Sequence, residues 1–325
     1  MSLTNMKVFN KTVQTMTTEK LAQDVEKFNA ASGGAIVLTA EGFEGDYRYE
    51  NFWASLYAAQ RRVDRYATNA AASSTNLSQL QAIGVKVAGG FGPILFEPGQ
   101  LSWVNKSPAE AATVISKYMA EAILKDQLNS AIAALTAAIE AGTTNTVYDT
   151  NTGPITYADI NNAHALFGDQ SGQLITTVMD AGVYHKFINQ NITNAGTLFD
   201  YRGVLVVDIL GRRIVVTDAP ALRESPSTAT NDAKVLSLVS GAATVYDGSD
   251  LITNIVTANG KERIETTMQA DYTFGLALKG FAWDTASGGK SPTDAEIATG
   301  ANWDKVATSW RHTAGVMVTA NSNSA

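Results

Sequence analysis

Cysteine is absent from this 325-residue sequence. The absence excludes disulfide bonds, thiolate metal sites and cysteine nucleophiles. Histidine is also scarce, with three residues in the whole chain. None of the three stands in a metal-ligand spacing such as HExxH. The sequence therefore offers no support for a zinc site of the usual kind and predicts no metal and no cofactor.

Charge is sparse as well. Charged residues make up 17% of the chain, against about 25% in an average globular protein. The net charge is −7 and the isoelectric point is about 5.0, so a basic field that would attract nucleic acid to the whole protein is missing. A sparsely charged surface is typical of a subunit that covers much of itself with neighbours.

Long hydrophobic runs are lacking. The apolar stretches fall far short of the roughly 20 residues that span a bilayer. Residues 1–20 are polar and rich in threonine, without the apolar core of a signal peptide. We therefore expect no membrane partner and a protein that is made and kept inside the cell.

Motifs of known chemistry are weak. Gly89–Gly92 follows a predicted strand but leads into Pro93, whereas a phosphate loop leads into a helix. Gly288–Ser291 resembles the end of a Walker loop but lacks its first glycine and strand. Gly168–Gly172 faintly resembles a serine nucleophile loop, and a turn after a helix explains it better. The sequence predicts no catalytic residue.

Scattered titratable groups leave an acid-based hydrolase as a distant alternative. Three carboxylates follow predicted strands, at Asp208, Asp218 and Glu224, and paired acids of this kind serve hydrolases. No pattern indicates that they converge, so a solvated or ion-paired role is favoured. Structural roles are favoured for the three histidines too, which are His164, His185 and His312.

One long helix is the clearest predicted element. Ser107-Pro108-Ala109-Glu110 matches a capping box with proline at the first helical position. From there to Ala141 no glycine or proline interrupts an alanine-rich stretch. At about 1.5 Å per residue, the helix over 107–141 would be a rod of about 50 Å. Gly142 is expected to end it.

Three segments precede this helix. Residues 1–50 are interpreted as an arm with a short helix through Leu21 and Val25, which Gly33 and Gly34 end before a strand at 35–39. A helix with an aromatic face and a basic face is predicted over 52–66, with a basic inter-subunit contact as the alternative. Residues 80–104 predict a hairpin that turns at 89–93.

Strands and short helices alternate after a polar linker at 143–153. Thr156 and Asp159 predict a capped helix that Gly168 ends. Further elements are expected as follows: strands at 174–179, 204–208 and 214–217, a helix opened by Asp180, a loop at 223–232, one or two strands within 244–257, a long strand over 264–278 and a final strand within 310–320.

The order of these parts resembles the Hong Kong 97-type major capsid proteins of tailed bacteriophages. Local sequence agrees at Leu174–Ile188, Gly211–Asp218, Glu262–Asp284, Asn302–Asp304 and Thr313–Val316. The resemblance implies an α+β Hong Kong 97-type capsid fold with an N-terminal arm, an extended β-hairpin loop, a long spine helix, a peripheral domain and an α/β axial domain. It also implies the arm at 1–50, the hairpin loop and peripheral domain at 51–142, the axial domain at 143–260 and returning strands at 261–325.

The same resemblance implies a shell subunit and not an enzyme. Copies of the chain would form hexamers and pentamers of an icosahedral head around double-stranded DNA, with scaffold, portal and decoration proteins as further partners. A mildly acidic inner wall would repel the packed duplex. The founding member's lysine–asparagine cross-link is not carried over to lysines such as Lys86. A tail tube or sheath subunit and a surface-layer protein remain alternatives.

Overall fold

The computed structural model describes most of the chain. The described residues are 3–53, 60, 62–66, 68, 79–96, 107–150, 155–191, 212–223, 232–248, 250–260, 262 and 264–321. The helices are α1 (Leu3–Ser32), α2 (Pro108–Glu140), α3 (Tyr157–Leu166), α4 (Ala181–Asn191) and the short α5 (Asp294–Ile297).

Thirteen strands are assigned within these residues. They are β1 (Ile36–Gly42), β2 (Tyr47–Trp53), β3 (Gln79–Phe96), β4 (Val147–Asp149), β5 (Leu174–Met179), β6 (Arg213–Val216), β7 (Asp232–Val239), β8 (Ala243–Asp247), β9 (Ile252–Ala258), β10 (Glu265–Leu278), β11 (Phe281–Trp283), β12 (Trp303–Lys305) and β13 (Gly315–Asn321).

Two larger sheets organise the strands. The six-stranded sheet has the order β1-β8-β10-β3-β2, with β9 also pairing with β10, and the five-stranded sheet has the order β4-β13-β7-β5-β6. A β11–β12 pair forms a third, small sheet. Residues 243–258, which the sequence division places in the axial part, form β8 and β9 of the six-stranded sheet.

Helix α2 packs against both larger sheets. Its 33 residues contain no internal glycine or proline, and its second half is fully buried at Ile132, Leu135 and Ile139. Pro108 occupies the first turn as expected, but Ser107 makes no side-chain capping bond. The predicted capping box is therefore wrong: with ψ at 72°, Ser107 lies outside the extended conformation that N-cap residues adopt.

Helix α1 is longer than the short helix predicted for the arm. It runs over 30 residues and buries Phe9 and Val13 in a cluster with Ala111 and Met119 of α2. Its predicted end is confirmed, because Gly33 (φ +64°) and Gly34 (φ +78°) adopt left-handed conformations there. The expected strand after these glycines is β1.

The glycine-rich segment at 89–93 does not turn the chain. Residues 79–96 form one strand that pairs antiparallel with β10 from Val85 to Phe96, so the predicted turn is wrong. Gly89 serves a different purpose, because a Cβ there would lie 2.6 Å from the ring of Tyr272. The remainder of the predicted hairpin, 97–104, lies outside the described residues.

An antiparallel pair of strands does occur one segment earlier. Strand β2 pairs with the first half of β3, from Tyr47 opposite Val85 to Trp53 opposite Gln79. The predicted helix over 52–66 is wrong where it is described, because Phe52 and Trp53 end β2 and residues 62–66 are not helical. Residues 54–59 and 61 lie outside the described part.

Most predicted elements after residue 143 are confirmed. Thr156 and Asp159 form the reciprocal capping box of α3, and Gly168 ends that helix region with φ +54°. Asp180 precedes α4 and accepts a hydrogen bond from the Gly182 amide at 2.6 Å. The expected strands appear as β5, β6, β8, β9, β10 and β13, while 204–208 and most of the predicted 223–232 loop lie outside the described residues.

Candidate functional site

An apolar groove lies between α2 and the β3–β10 pair. Its volume is about 340 Å³, and it is lined by Phe91, Ile94, Ile115, Tyr118, Met119, Ala122, Met268 and Ala270. The four α2 residues in this set follow the i, i+3, i+4, i+7 spacing of one helix face. Tyr118 is 66% exposed and Ile94 is 51% exposed. Large apolar side chains therefore reach solvent together.

A bulge in β3 supplies two residues of this groove. Phe91 lies opposite Ala270, and Ile94 lies opposite Met268, so three steps along β3 match two steps along β10. The extra residue moves the side-chain alternation by one position, which brings Phe91 and Ile94 to the same face. Gly92 is required in the bulge, since its φ is +99° and a Cβ would lie 2.7 Å from the Met268 carbonyl oxygen.

A hydrogen bond joins α2 to β10 further along the helix. The Tyr272 hydroxyl donates to Asp126 Oδ2 at 2.7 Å, and the Tyr272 side chain is buried. Burial raises the pKa of Asp126, the bond from Tyr272 lowers it, and the charge of Asp294 raises it. Burial and the same bond raise the pKa of Tyr272. The pair fixes the position of α2 over the sheet.

A second cavity, of about 520 Å³, adjoins β2, β3, β8 and residues 307–312. Arg48 and Glu50 line it from one face of β2. Arg48 Nε donates to Glu50 at 3.0 Å, and its guanidinium lies 4.1 Å from the ring centre of Tyr246. The Tyr246 hydroxyl donates to Glu50 at 3.1 Å, and burial raises the Tyr246 pKa to about 12. The charges of Arg48 and Glu50 are thus paired, and Tyr246 contacts both side chains.

The three histidines lie on separate elements. His164 is buried, its Nε2 lies 2.9 Å from Ser237 Oγ, and the Arg212 guanidinium donates to its Nδ1. Burial and Arg212 lower the His164 pKa to about 4. The space beside it is about 10 Å³, too small for a substrate. His185 and His312 are exposed, and His312 lines the 520 Å³ cavity.

Of the three candidate acids, Asp218 alone lies in the described part of the chain. Asp218 is exposed after β6, while Asp208 and Glu224 lie outside the described residues. Gly168–Gln173 forms a 3₁₀ turn after α3, as expected for that motif. In the Walker-like loop, Lys290 pairs with Asp46 at 2.8 Å, and the helix that follows has only four residues.

Neither a metal cluster nor a membrane-spanning helix occurs in the described part of the chain. Among those residues, no group of three or more histidine or carboxylate side chains could hold a metal ion. None of the described helices is long and apolar enough to cross a bilayer.

Comparison with known proteins identifies the chain. The sequence profile of the major capsid protein 13-like family matches residues 5–317. The chain belongs to this family. Its members are phage major capsid proteins, so the chain is a structural capsid protein of a bacteriophage. No curated protein matches the sequence.

Solved capsid structures share the fold at low sequence identity. The capsid protein of cyanophage Pam1 has a TM-score of 0.54 at 10% identity and covers 88% of each chain. The structure titled Mycobacterium phage Bobi has a TM-score of 0.53 at 13% identity, covering 87% of this chain and 88% of the other. That titled Mycobacterium phage Adephagia has a TM-score of 0.51 at 14% identity, with the same coverage of 87% and 88%. The α+β capsid fold expected from the order of elements is thereby confirmed.

Sequence patterns did not reveal the groove or the Tyr272–Asp126 bond. The periodicity of the sequence grouped Val114, Tyr118 and Ala122 on one helix face, which contains two of the four α2 residues of the groove. The partner surface was hidden because Gly89–Pro93 was interpreted as a turn. A pattern of 14 residues with strand propensity at 265–278 was the available signal that a strand of matching length had to lie beside it.

Proposed function

We propose that this chain is the shell subunit of a tailed-bacteriophage head, which forms hexamers and pentamers of an icosahedral capsid around double-stranded DNA. Membership of the major capsid family supports this proposal. The observation that carries it is the exposed apolar groove between α2 and β3, since contiguous apolar surface of this kind marks a contact with another molecule. The capsid protein of cyanophage Pam1, whose fold is similar, also supports it.

The occupant of the groove is a second copy of this chain. The described residues 62–66, which lie between β2 and β3 in the chain, are the segment that we propose enters the groove of a neighbouring copy. Within this segment Val63 is 64% exposed and Tyr66 is 100% exposed. These side chains match the apolar groove in chemistry. Arg62 and Arg65 flank them, and the exposed Glu110 and Glu121 of α2 carry the opposite charge.

The two larger sheets suggest which part of the subunit makes which contacts. We assign the five-stranded sheet to the axial part, which meets its copies around the symmetry axis, and α2 with the six-stranded sheet to the spine and peripheral part. Such head-to-tail contacts close into rings, and many weak contacts add through avidity. Scaffold, portal and decoration proteins would bind the assembled rings.

Charge is consistent with a DNA container. The net charge of −7 provides no general attraction for phosphates. A shell of such subunits holds the duplex by enclosure and allows it to leave. No catalytic step is part of the proposal, because the described acids and histidines do not converge in a cavity.

The experiment compares three single variants by electron microscopy after expression. Ile94→Asp and Tyr118→Asp each place a charge in the groove, whereas Ile264→Asp changes an equally apolar side chain that is 72% exposed and does not line the groove. We expect the two groove variants to remain folded, because surface changes usually alter stability by about 0.5 kcal/mol or less, and to form no shells. Ile264→Asp should form shells.

Normal shells from both groove variants would contradict the proposed role of the groove. Tubes from the unaltered protein, or a monomer under all conditions, would contradict the proposed function as a whole. Circular dichroism and thermal unfolding establish that each variant is folded before its assembly is scored.

A further inference from the structure

Helix α1 covers an edge of the six-stranded sheet with amide side chains. The Asn10 side-chain amide donates to the Thr253 carbonyl oxygen, and that of Gln14 donates to the Leu251 carbonyl oxygen. Both acceptors lie at β9, whose other side pairs with β10. The two amides therefore bind backbone oxygens that a neighbouring strand would otherwise bind.

The spacing of these contacts matches a strand ladder. A step of four residues along a helix is about 6 Å, and a step of two residues along a strand is about 6.7 Å. Asn10 and Gln14 are one such helix step apart, and Leu251 and Thr253 are one such strand step apart.

Near its C-terminal end, α1 also forms side-chain hydrogen bonds with the backbone of strand β1. The Asn29 side chain accepts from the Leu38 amide at 2.8 Å and donates to the Leu38 carbonyl oxygen at 2.6 Å. This double exchange is the one that a residue of an adjacent antiparallel strand makes. The Ser32 hydroxyl donates to the Ile36 carbonyl oxygen at 3.0 Å. At the β9 edge and at the β1 edge, side chains of α1 therefore make hydrogen bonds that a neighbouring strand would otherwise make.

The covered β9 edge has the composition of a self-pairing strand. Its sequence, Ile-Thr-Asn-Ile-Val-Thr-Ala, contains no charged residue and no proline, which are the usual protections of an exposed edge. Ile252 is 64% exposed and Val256 is 49% exposed. Two copies of β9 could pair antiparallel about a two-fold axis without meeting like charges in any register.

Some polar atoms in the contact between α1 and β9 lack hydrogen bonds. Asn10 Oδ1 and Thr253 Oγ1 are buried without a hydrogen-bond partner, and both belong to the residues that join α1 to β9. A buried polar atom without a partner weakens the contact that contains it. We therefore expect α1 to separate from the β9 edge most readily at the contact between Asn10 and Thr253.

We propose that the β9 edge is a strand-pairing surface for β9 of a second copy, which Asn10 and Gln14 of α1 keep closed in the subunit. Edge-to-edge pairing through β9 would compete with ring formation, because it joins subunits by a two-fold contact. The amides of α1 thus direct copies of the chain away from this contact. The inference concerns the unassembled subunit and stands apart from the groove.

The test removes both amides in the full chain with Asn10→Ala/Gln14→Ala. The matched control is Thr12→Ala/Thr15→Ala on the same helix, because these hydroxyls donate only to helix carbonyls, of Val8 at 2.9 Å and of Lys11 at 3.0 Å. Hydrogen exchange of residues 250–258 and light scattering are measured on unassembled subunits. We expect about tenfold faster exchange, from the loss of two hydrogen bonds, and concentration-dependent association. The control should show neither.

A second variant identifies the surface responsible. Ile252→Lys/Val256→Lys, added to the amide variant, places charge on the exposed face of β9 and blocks edge pairing. Exchange should stay fast while association disappears. Association that persists in this variant, or exchange and association equal to the threonine control, would overturn the proposal. If the double amide variant lacks native circular dichroism, Gln14→Ala alone decides by the same two readings. If the groove variants alone fail to form shells, that result bears on the proposed function and not on the proposal about β9.

Discussion

The bond between Tyr272 and Asp126 makes a prediction about stability and pH. The change Tyr272→Phe removes one hydroxyl and leaves the ring, which packs tilted against Phe91 with centres 5.4 Å apart. The apolar contacts therefore survive. What is lost is a 2.7 Å hydrogen bond to a half-buried carboxylate.

The expected loss is about 2 kcal/mol in the free energy of unfolding at pH 7, because hydrogen bonds to charged groups contribute about 1.5–3 kcal/mol. In an Asp126→Asn background the acceptor is a neutral amide, and the same change should cost about 1 kcal/mol. The double-mutant cycle should therefore show a coupling of about 1 kcal/mol.

The pH dependence follows from the direction of the pKa shift. Burial, the largest cause, raises the pKa of Asp126 above its unfolded value, and the Tyr272 bond opposes that rise. Between the unfolded and folded pKa values the folded state binds more protons, so the contribution of Asp126 to stability falls as pH rises through that window. Removing the Tyr272 hydroxyl raises the pKa further. The cost of Tyr272→Phe should therefore shrink as pH falls from 7 towards 4.

Urea unfolding of unassembled subunits at pH 7, 5.5 and 4 provides the measurement. Each comparison is between a variant and its own background at the same pH, which cancels the titration of all other groups. Two results would refute the reasoning. One is a cost of Tyr272→Phe that is unchanged across this pH range, and the other is an equal cost with and without the Asp126→Asn change.

Two further predictions concern the five-stranded half of the molecule. The pKa of His164 is lowered to about 4, so the folded protein loses stability as pH falls from about 6.5 to 4, by at most about 1.4 kcal/mol per pH unit. The change His164→Gln should flatten this part of a plot of Tm against pH. An unchanged slope would contradict the prediction. Thr156→Ala removes the capping box of α3 and should cost about 1 kcal/mol, whereas Thr113→Ala on exposed α2 surface should cost less in the same urea titration.

Local physical chemistry determined several elements from the sequence alone. Helix α2 follows from a long alanine-rich stretch without glycine or proline, and α3 follows from the Thr156–Asp159 capping pair. The end of α1 follows from Gly33 and Gly34, whose left-handed conformations suit glycine best. Each of these signals acts through neighbours within about four residues. They therefore hold whatever surrounds them, and their order was enough to indicate the capsid family.

Tertiary structure decided the elements whose partners are distant in sequence. Gly89–Pro93 has the composition of a turn, yet pairing with β10 keeps β3 extended and converts the segment into a bulge. Asn10 and Gln14 were unremarkable polar residues until the fold placed them against Thr253 and Leu251, which are 243 and 237 residues away in the chain. Composition cannot show such contacts, because a strand edge exists only after its sheet has formed. The groove, the half-buried Asp126 and the covered edge of β9 all arise at that stage.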